Sequence, residues 1–277
     1  MTENKDFERW ESLFQKELKG KTPAEMAYHP HPDIMMIPYA HGLTKASQSF
    51  TSSASGVTHS FVIDEDSAPW LPGIWDRLQE YEIVSLVGAE EDAPGVNLGE
   101  LARELAQIDE MAGLPNIQPP PVILDFGAVS VLEKFKEVVR SPTSENRNLA
   151  ITPGHDFIWN TALLRGLQKY QLKIREDQGL LSLESVYIAW KHLDLSGEEG
   201  QLIPLTNRLL SLMTGGLHHM IWDIREASEW QKANLNYLLN VPEILVREGR
   251  IFQDRDVIRG SGLFEELSDR IVRQLES

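Results

Sequence analysis

Apolar residues along most of the chain recur with two different periods, one typical of strands and one typical of helices. From residue 60 onward, short β-rich runs alternate with longer segments that carry apolar residues at helical spacing. Such alternation predicts an α/β fold with a parallel sheet. The predicted strands cover 60–64, 83–88, 122–127, 149–153, 186–190 and 218–223, and the predicted helices cover 74–81, 98–111, 131–139, 157–175, 205–213 and 229–247.

The two ends of the chain have patterns of their own. The spacing predicts a helix over residues 7–18 with Gly20 just beyond its end, followed by an extended arm rich in proline. Residues 240–275 read as a helix, a polar turn, a Gly-Ser-Gly bend and a final helix. We therefore predict an amino-terminal helix and arm over 1–55 and one body over 56–277.

A parallel sheet of this kind either stays open and doubly wound or closes into a barrel. The turns after the predicted strands contain neither G-x-G-x-x-G nor G-x-x-x-x-G-K-[ST], so a nucleotide-binding open sheet loses its main support. We favour a TIM-like (β/α) barrel. Because the pattern gives six strands after the arm and a complete barrel has eight, the expected barrel has fewer strands than usual.

Composition narrows the class of protein. The chain has 277 residues, of which 42% are hydrophobic, and it contains no cysteine, which excludes disulfides and thiolate chemistry. Its net charge of −16 argues against a nucleic-acid partner. The first 21 residues contain no apolar run, so we expect neither a signal peptide nor a membrane anchor, and we expect a soluble cytoplasmic protein.

Polar and aromatic residues near the predicted strand ends are the candidates for chemistry. A pairing of His155 with Asp156 as acid and base is disfavoured, since adjacent strand residues point to opposite faces. Trp222 is read as core filler in preference to the wall of an apolar slot. The substrate-pocket candidates are His155, Trp190, Lys191, His192 and Asp223.

Other clusters have plainer explanations. The spacing of the histidines at 29, 31 and 41 around Asp33 matches no zinc pattern, so we predict no metal site. Gly260-Ser261-Gly262 is read as a tight bend in preference to a phosphate nest. The acidic run at positions 90–92 is read as a solvated loop.

Several short blocks in the same order resemble the methylmalonyl-CoA mutase family. The amino-terminal blocks are WESLFQKELKGK and IMMIPY, and two further blocks are FIWNTALLRGLQK, with Phe157, Ala162 and Arg165 in the family positions, and LLSLMTGGLHHMIWD, with the glycine pair Gly215 and Gly216. The closing block matches at Asn240, Glu248, Asp256, Gly260, Ser261, Glu265, Leu267 and Ser268. The resemblance implies a TIM-like barrel that, in active members, threads the pantetheine arm of acyl-CoA along its axis beneath adenosylcobalamin.

The departures from the family concern the residues that do chemistry. The stretch SASGVTHSFVID stands where the family has T-M-Y-T-x-R-P-W, and the strand ending S-G-Y-H-x-x-E-A-G-A is missing. Trp190 and His192 stand where the family has histidine and glutamine, and Gln201 and Pro204 stand where it has asparagine and arginine. In the closing block, Arg247 replaces a glutamate and Val257 a proline, and the landmarks of the cobalamin domain are absent.

The resemblance leads to one main hypothesis and two alternatives. The main hypothesis is a divergent mutase-like subunit without independent activity, whose arm contacts a mutase partner subunit or a second copy. One alternative is an acyl-CoA-binding component that receives adenosylcobalamin from another chain, with no cofactor of its own. The other is a small barrel enzyme with reassigned acid and base residues such as His155, Lys191 or His192.

Overall fold

A computed structural model gives the structure of this protein. It describes residues 3–17, 19–32, 34–36, 57–62, 84–87, 116–118, 122–140, 148–174, 182–189, 202–223, 235–251 and 258–277. All statements on the fold concern these ranges.

The described residues form helices and strands in mixed order. The helices are α1 Glu3–Glu17, α2 Val131–Arg140, α3 Phe157–Ile174, α4 Leu202–Met213, α5 Leu235–Arg247 and α6 Gly262–Glu276, with a short 3-10 helix at Pro23–Met26. The strands are β1 Tyr28–His31, β2 Ile34–Met36, β3 Thr58–Val62, β4 Val84–Val87, β5 Asn116–Gln118, β6 Val122–Asp125, β7 Asn148–Thr152, β8 Ser182–Ala189 and β9 His219–Asp223. The protein is therefore an α/β protein, as the sequence pattern predicts.

Seven of these strands form one parallel sheet. Their order across the sheet is β5-β4-β3-β9-β8-β7-β6, and every neighbouring pair is parallel. The first of the seven in the chain, β3, thus pairs with the last, β9. Each remaining strand lies beside its neighbour in the sequence.

The two edge strands of this sheet are joined by a short connection. β5 ends at Gln118 and β6 begins at Val122, and a chain spanning four Cα–Cα steps reaches at most about 15 Å. The edges of a flat seven-stranded sheet would lie about 29 Å apart. The sheet is therefore strongly curved. No β5–β6 pairing occurs among the described residues, so a closed barrel is not seen there.

One face of the sheet packs against the helices. Leu124, Ile151, Val186, Met220 and Trp222 lie on this face and belong to one buried cluster with residues of α2, α3, α4, α5 and α6. Ala150 and Ile221 lie on the opposite face; they are 0% and 3% exposed but stand outside that cluster. The helix-covered face is therefore part of the apolar core, and Ala150 and Ile221 on the opposite face are buried outside that core.

Helices α3 and α6 approach each other very closely. A Cβ at Gly166 would lie 2.7 Å from Cγ2 and 2.8 Å from Cβ of Ile271. In the same interface, Arg165 Nη2 donates to Glu265 Oε1 at 2.5 Å, and Lys169 Nζ donates to Glu265 Oε2 at 2.9 Å and to Asp269 Oδ1 at 2.7 Å. Arg165 of α3 and Glu265 of α6 thus meet in a buried ion pair.

Part of the amino-terminal arm packs on the body of its own chain. β1 and β2 form an antiparallel pair, in which Ile34 is 2% exposed and joins the buried cluster. His31 donates from Nε2 to the carbonyl oxygen of Val129 at 2.8 Å, and Arg270 Nη1 donates to the carbonyl oxygen of Met35 at 2.8 Å. Residues 28–31 and 34–36 of the arm therefore contact the body of their own chain, and the use of the arm for a partner stays a prediction.

The structure also corrects several predicted boundaries. β8 begins at Ser182 and not at residue 186, α4 begins at Leu202 and not at residue 205, and β5 was not predicted. Pro242 lies inside α5. The predicted helices at 74–81 and 98–111 lie outside the described residues. No helix in the described part of the chain combines the length and the apolarity needed to cross a membrane.

Candidate functional site

The carboxyl-terminal ends of the parallel strands meet at one edge of the sheet, where parallel α/β proteins bind their ligands. Asp125 and Thr152 end β6 and β7 in register, and Asp223 ends β9. Asp125 is exposed, and its Oδ1 accepts the N–H of Gly127 at 2.8 Å. Asp223, one of the predicted pocket residues, is only 2% exposed. A buried carboxylate therefore lies at this edge.

Register defines what occupies the face of the sheet opposite the helices. Along each strand every second position belongs to this inner face. Ile221 pairs with Ser60 and Tyr187, and Asp223 pairs with Val62 and Ala189. The remaining inner positions, assigned by the same pairing, are Thr58, Ser85, Val87, Asn116, Gln118, Ile123, Asp125, Asn148, Ala150, Thr152, Ser182, Ser185 and His219. Small and polar residue types predominate in these rows, whereas barrel interiors are usually filled by bulky branched residues.

A buried amide holds the loop that follows β7. Asn160, in the first turn of α3, is 0% exposed; its Oδ1 accepts the N–H of Gly154 at 3.0 Å and its Nδ2 donates to the carbonyl oxygen of Gly154 at 3.1 Å. Gly154 leaves little room for a side chain, since a Cβ there would make a tight contact of 3.2 Å with the backbone nitrogen of Gly127. The loops after β6 and β7 are therefore fixed against each other.

His155 follows directly in this loop and contacts α4. Arg208 Nη2 lies 2.6 Å from its Nδ1 and 3.2 Å from its Nε2. A guanidinium only donates, so the nearer ring nitrogen accepts. Desolvation by burial lowers the pKa of Arg208 from its ordinary value. His155 is thus paired with an arginine that the sequence patterns did not single out.

Asp156 has a structural role. Its Oδ1 accepts the N–H of Trp159 at 2.6 Å and its carbonyl oxygen accepts the N–H of Asn160 at 3.0 Å, which is the geometry of a helix N-cap at the start of α3. The acid–base pairing of His155 with Asp156, which the sequence disfavours, is replaced by separate contacts for the two side chains. The physical reason is that the aspartate oxygen is committed to the orphan N–H groups of the helix.

Trp222 is core, as predicted, but it also takes part in a buried polar contact. It is 0% exposed and its Nε1 donates to Nδ1 of His59 at 2.9 Å. The His59 Nε2 lies 3.7 Å from Glu243 Oε1 of α5. These contacts connect the neighbouring strands β3 and β9 to α5.

The other predicted candidates divide into two groups. Trp190, Lys191 and His192 lie outside the described residues, as does the acidic run at 90–92, so the convergence of Lys191 or His192 with His155 stays a prediction. The predicted bend at Gly260 is confirmed by its φ of +77°, and its N–H donates to Glu265 Oε1 at 3.3 Å. Within the described ranges, no group of three or more His, Asp or Glu side chains is placed to hold a metal ion.

Adenosylcobalamin, the cofactor that the resemblance implies, stays a prediction. One ring nitrogen of each of His31, His59 and His155 contacts Val129, Trp222 and Arg208, respectively. We therefore derive no chemical step through this cofactor.

Comparison with known proteins adds no relative. No protein-family model matches the chain, and no curated protein matches it either. The functional reading consequently depends on the residues and on the geometry of the chain itself.

Proposed function

We propose that this protein is a mutase-type (β/α) barrel that binds an acyl-CoA thioester along its axis. The barrel is supported by the strand order, in which the first strand of the sheet in the chain, β3, pairs with the last, β9, and by the three residues that separate β5 from β6. The mutase relationship is supported by the ion pair between Arg165 and Glu265, because it joins two blocks that resemble the family.

One observation carries the ligand assignment: the inner face is made mainly of small and polar residue types. Ala150 and the positions of Ser60, Ser85 and Ser185 carry small residue types, and we propose that a narrow, extended chain lies along them. A pantetheine arm is narrow and carries two amide groups. The hydroxyl of Thr152 and the carboxylate of Asp223 would be hydrogen-bond partners for those amides.

The proposed role is binding without an independent rearrangement. The family segments that hold the radical and the thioester carbonyl are replaced or missing in this sequence. Incubation of the purified chain with methylmalonyl-CoA and adenosylcobalamin is therefore expected to give no turnover. Turnover by the chain alone would contradict this part of the proposal.

Calorimetry tests the binding directly. We expect acetyl-CoA to bind with a one-to-one stoichiometry. Asp223→Asn is expected to weaken binding about tenfold or more, since a hydrogen bond to a charged group contributes roughly 1.5–3 kcal/mol. Asp156→Asn is the matched control, because asparagine caps a helix as well as aspartate and residue 156 lies outside the inner rows. Absence of heat for acetyl-CoA would favour the alternative of an accessory subunit that binds no thioester.

A further inference from the structure

Among the residues that the structure describes, Arg208 has no carboxylate partner, although the chain is rich in carboxylates. The sequence has 42 acidic and 26 basic side chains, and Arg165, Arg247 and Arg270 each contact a glutamate. Within the described ranges, the side chain of Arg208 has His155 as its one hydrogen-bonding partner. A guanidinium carries five N–H donors, so most of its donor capacity is unused there.

The partly buried position of Arg208 favours the binding of a negatively charged partner to its guanidinium. The side chain of Arg208 is partly buried, and this desolvation lowers its pKa. A neutral imidazole nitrogen at 2.6 Å accepts one hydrogen bond but does not compensate the charge. An oxyanion would accept two hydrogen bonds from the guanidinium and also compensate its charge. The geometry of the guanidinium matches that of a carboxylate or a phosphate group.

A buried network holds the two residues in place. Asn160 Nδ2 donates to Ser211 Oγ at 3.1 Å, and Ser211 Oγ donates to the carbonyl oxygen of Arg208 at 2.7 Å. The same Asn160 binds both backbone groups of Gly154, next to His155. Asn160 and Ser211 are 0% exposed. One pair of buried side chains thus fixes the backbone beneath both His155 and Arg208, as a preorganised binding site requires.

We propose that His155 and Arg208 form a binding site for a small oxyanion, either a carboxylate or a phosphate group. The anion would accept two N–H groups from the Arg208 guanidinium, and the His155 imidazole, released from its present contact, would provide a further hydrogen bond. The site lies between the loop after β7 and α4, and neither His155 nor Arg208 belongs to the inner rows of the sheet. The proposal therefore does not depend on the proposed thioester binding.

The test follows the His155 ring resonance of the full chain by NMR during titration with sodium phosphate, sodium acetate or sodium chloride at constant ionic strength. His155→Gln assigns the resonance among the eight histidines. We expect a saturable shift with phosphate, acetate or both, and none with chloride. A shift with phosphate alone would indicate a phosphoryl ligand, and a shift with acetate alone would indicate a carboxylate ligand. A shift with both would indicate that the site binds either oxyanion. Equal responses to all three salts, or no response, would overturn the proposal.

Variants show whether the guanidinium carries the binding. Arg208→Gln is expected to weaken oxyanion binding about tenfold or more, and Arg208→Lys less, because lysine keeps the charge and loses the fork. Arg273→Gln removes the same charge from an exposed position on α6 and should leave binding unchanged. Unaltered circular dichroism spectra and thermal midpoints establish that each variant is folded. Unchanged affinity in folded Arg208→Gln contradicts the assignment.

Discussion

The carboxylate of Glu265 lies 2.5 Å from the guanidinium of Arg165, and both side chains are 1% exposed. The two residues are a hundred positions apart in the chain. Their contact lies between α3 and α6, on the helix layer and not at the strand ends. The pair therefore stabilises the packing of these two helices.

Removal of one partner from this ion pair should be costly. Arg165→Met leaves the Glu265 carboxylate buried with Lys169 as a remaining cation, and we expect a loss of about 3–5 kcal/mol in the free energy of unfolding. Urea denaturation measures this loss. Arg273→Met, on an exposed position, is the control and should change stability by less than about 0.5 kcal/mol.

The double variant Arg165→Met with Glu265→Leu should be more stable than either single variant. Apolar side chains of similar volume remove both desolvated charges at once, and such replacements are often neutral. A double-mutant cycle by urea denaturation measures the coupling. Additive losses would show that the two side chains do not interact and would contradict the packing account.

Gly166→Ala should destabilise the protein although alanine favours helices. Alanine gains about 1 kcal/mol in helix propensity, but its Cβ would lie 2.7 Å from Ile271 Cγ2, and overpacking costs about 1–3 kcal/mol. We expect a net loss in thermal midpoint. Ile271→Leu lacks the Cγ2 methyl, so its combination with Gly166→Ala should recover part of the loss. A stabilised single variant would show that α3 and α6 have room to separate.

The two hydrogen bonds between the Asn160 side chain and the backbone of Gly154 should contribute to the free energy of unfolding. Asn160→Leu keeps a similar shape but leaves the N–H and carbonyl of the buried Gly154 without this partner, at about 1–3 kcal/mol for each group. Asn207→Leu, on an exposed position of α4, is the matched control. Equal stability of the two variants would contradict a stabilising role for the Asn160–Gly154 hydrogen bonds.

The pH dependence of Glu25 follows from its contacts with Thr22. The backbone N–H of Thr22, and then its hydroxyl, hydrogen-bond the carboxylate and hold the pKa of Glu25 below its ordinary value of 4.5. Because the folded pKa is lowered, the stabilisation is present above the unfolded pKa and is lost as pH falls through the folded pKa. Carbon-13 NMR titration should show this lowered pKa. Thr22→Ala should raise it only partly, since the backbone bond remains; a titration at or above 4.5 in the wild type contradicts the account.

Sequence periodicity located the six predicted strands of the large sheet and the helices that fall in the described ranges, because hydrophobic burial sets both periods. It missed β5, whose three residues are too short to show a period. Asp223 was named as a pocket candidate because it lies at the end of an apolar strand. Arg208 was not named as a candidate, because its contact with His155 joins residues 53 positions apart and leaves no local sequence pattern. Asn160 had one local signal, a polar residue within an apolar helix.

Photo-crosslinking tests the central claim, that the inner face of the sheet binds an extended thioester, most directly. An acyl-CoA with a photoreactive acyl group would be bound to the full chain, irradiated, and mapped by mass spectrometry of peptides. The account predicts labelling within β6, β7 or β9, at inner positions such as Ala150, Thr152 and Ile221, that excess acetyl-CoA suppresses. Labelling confined to the helices, or labelling that acetyl-CoA does not suppress, would contradict it.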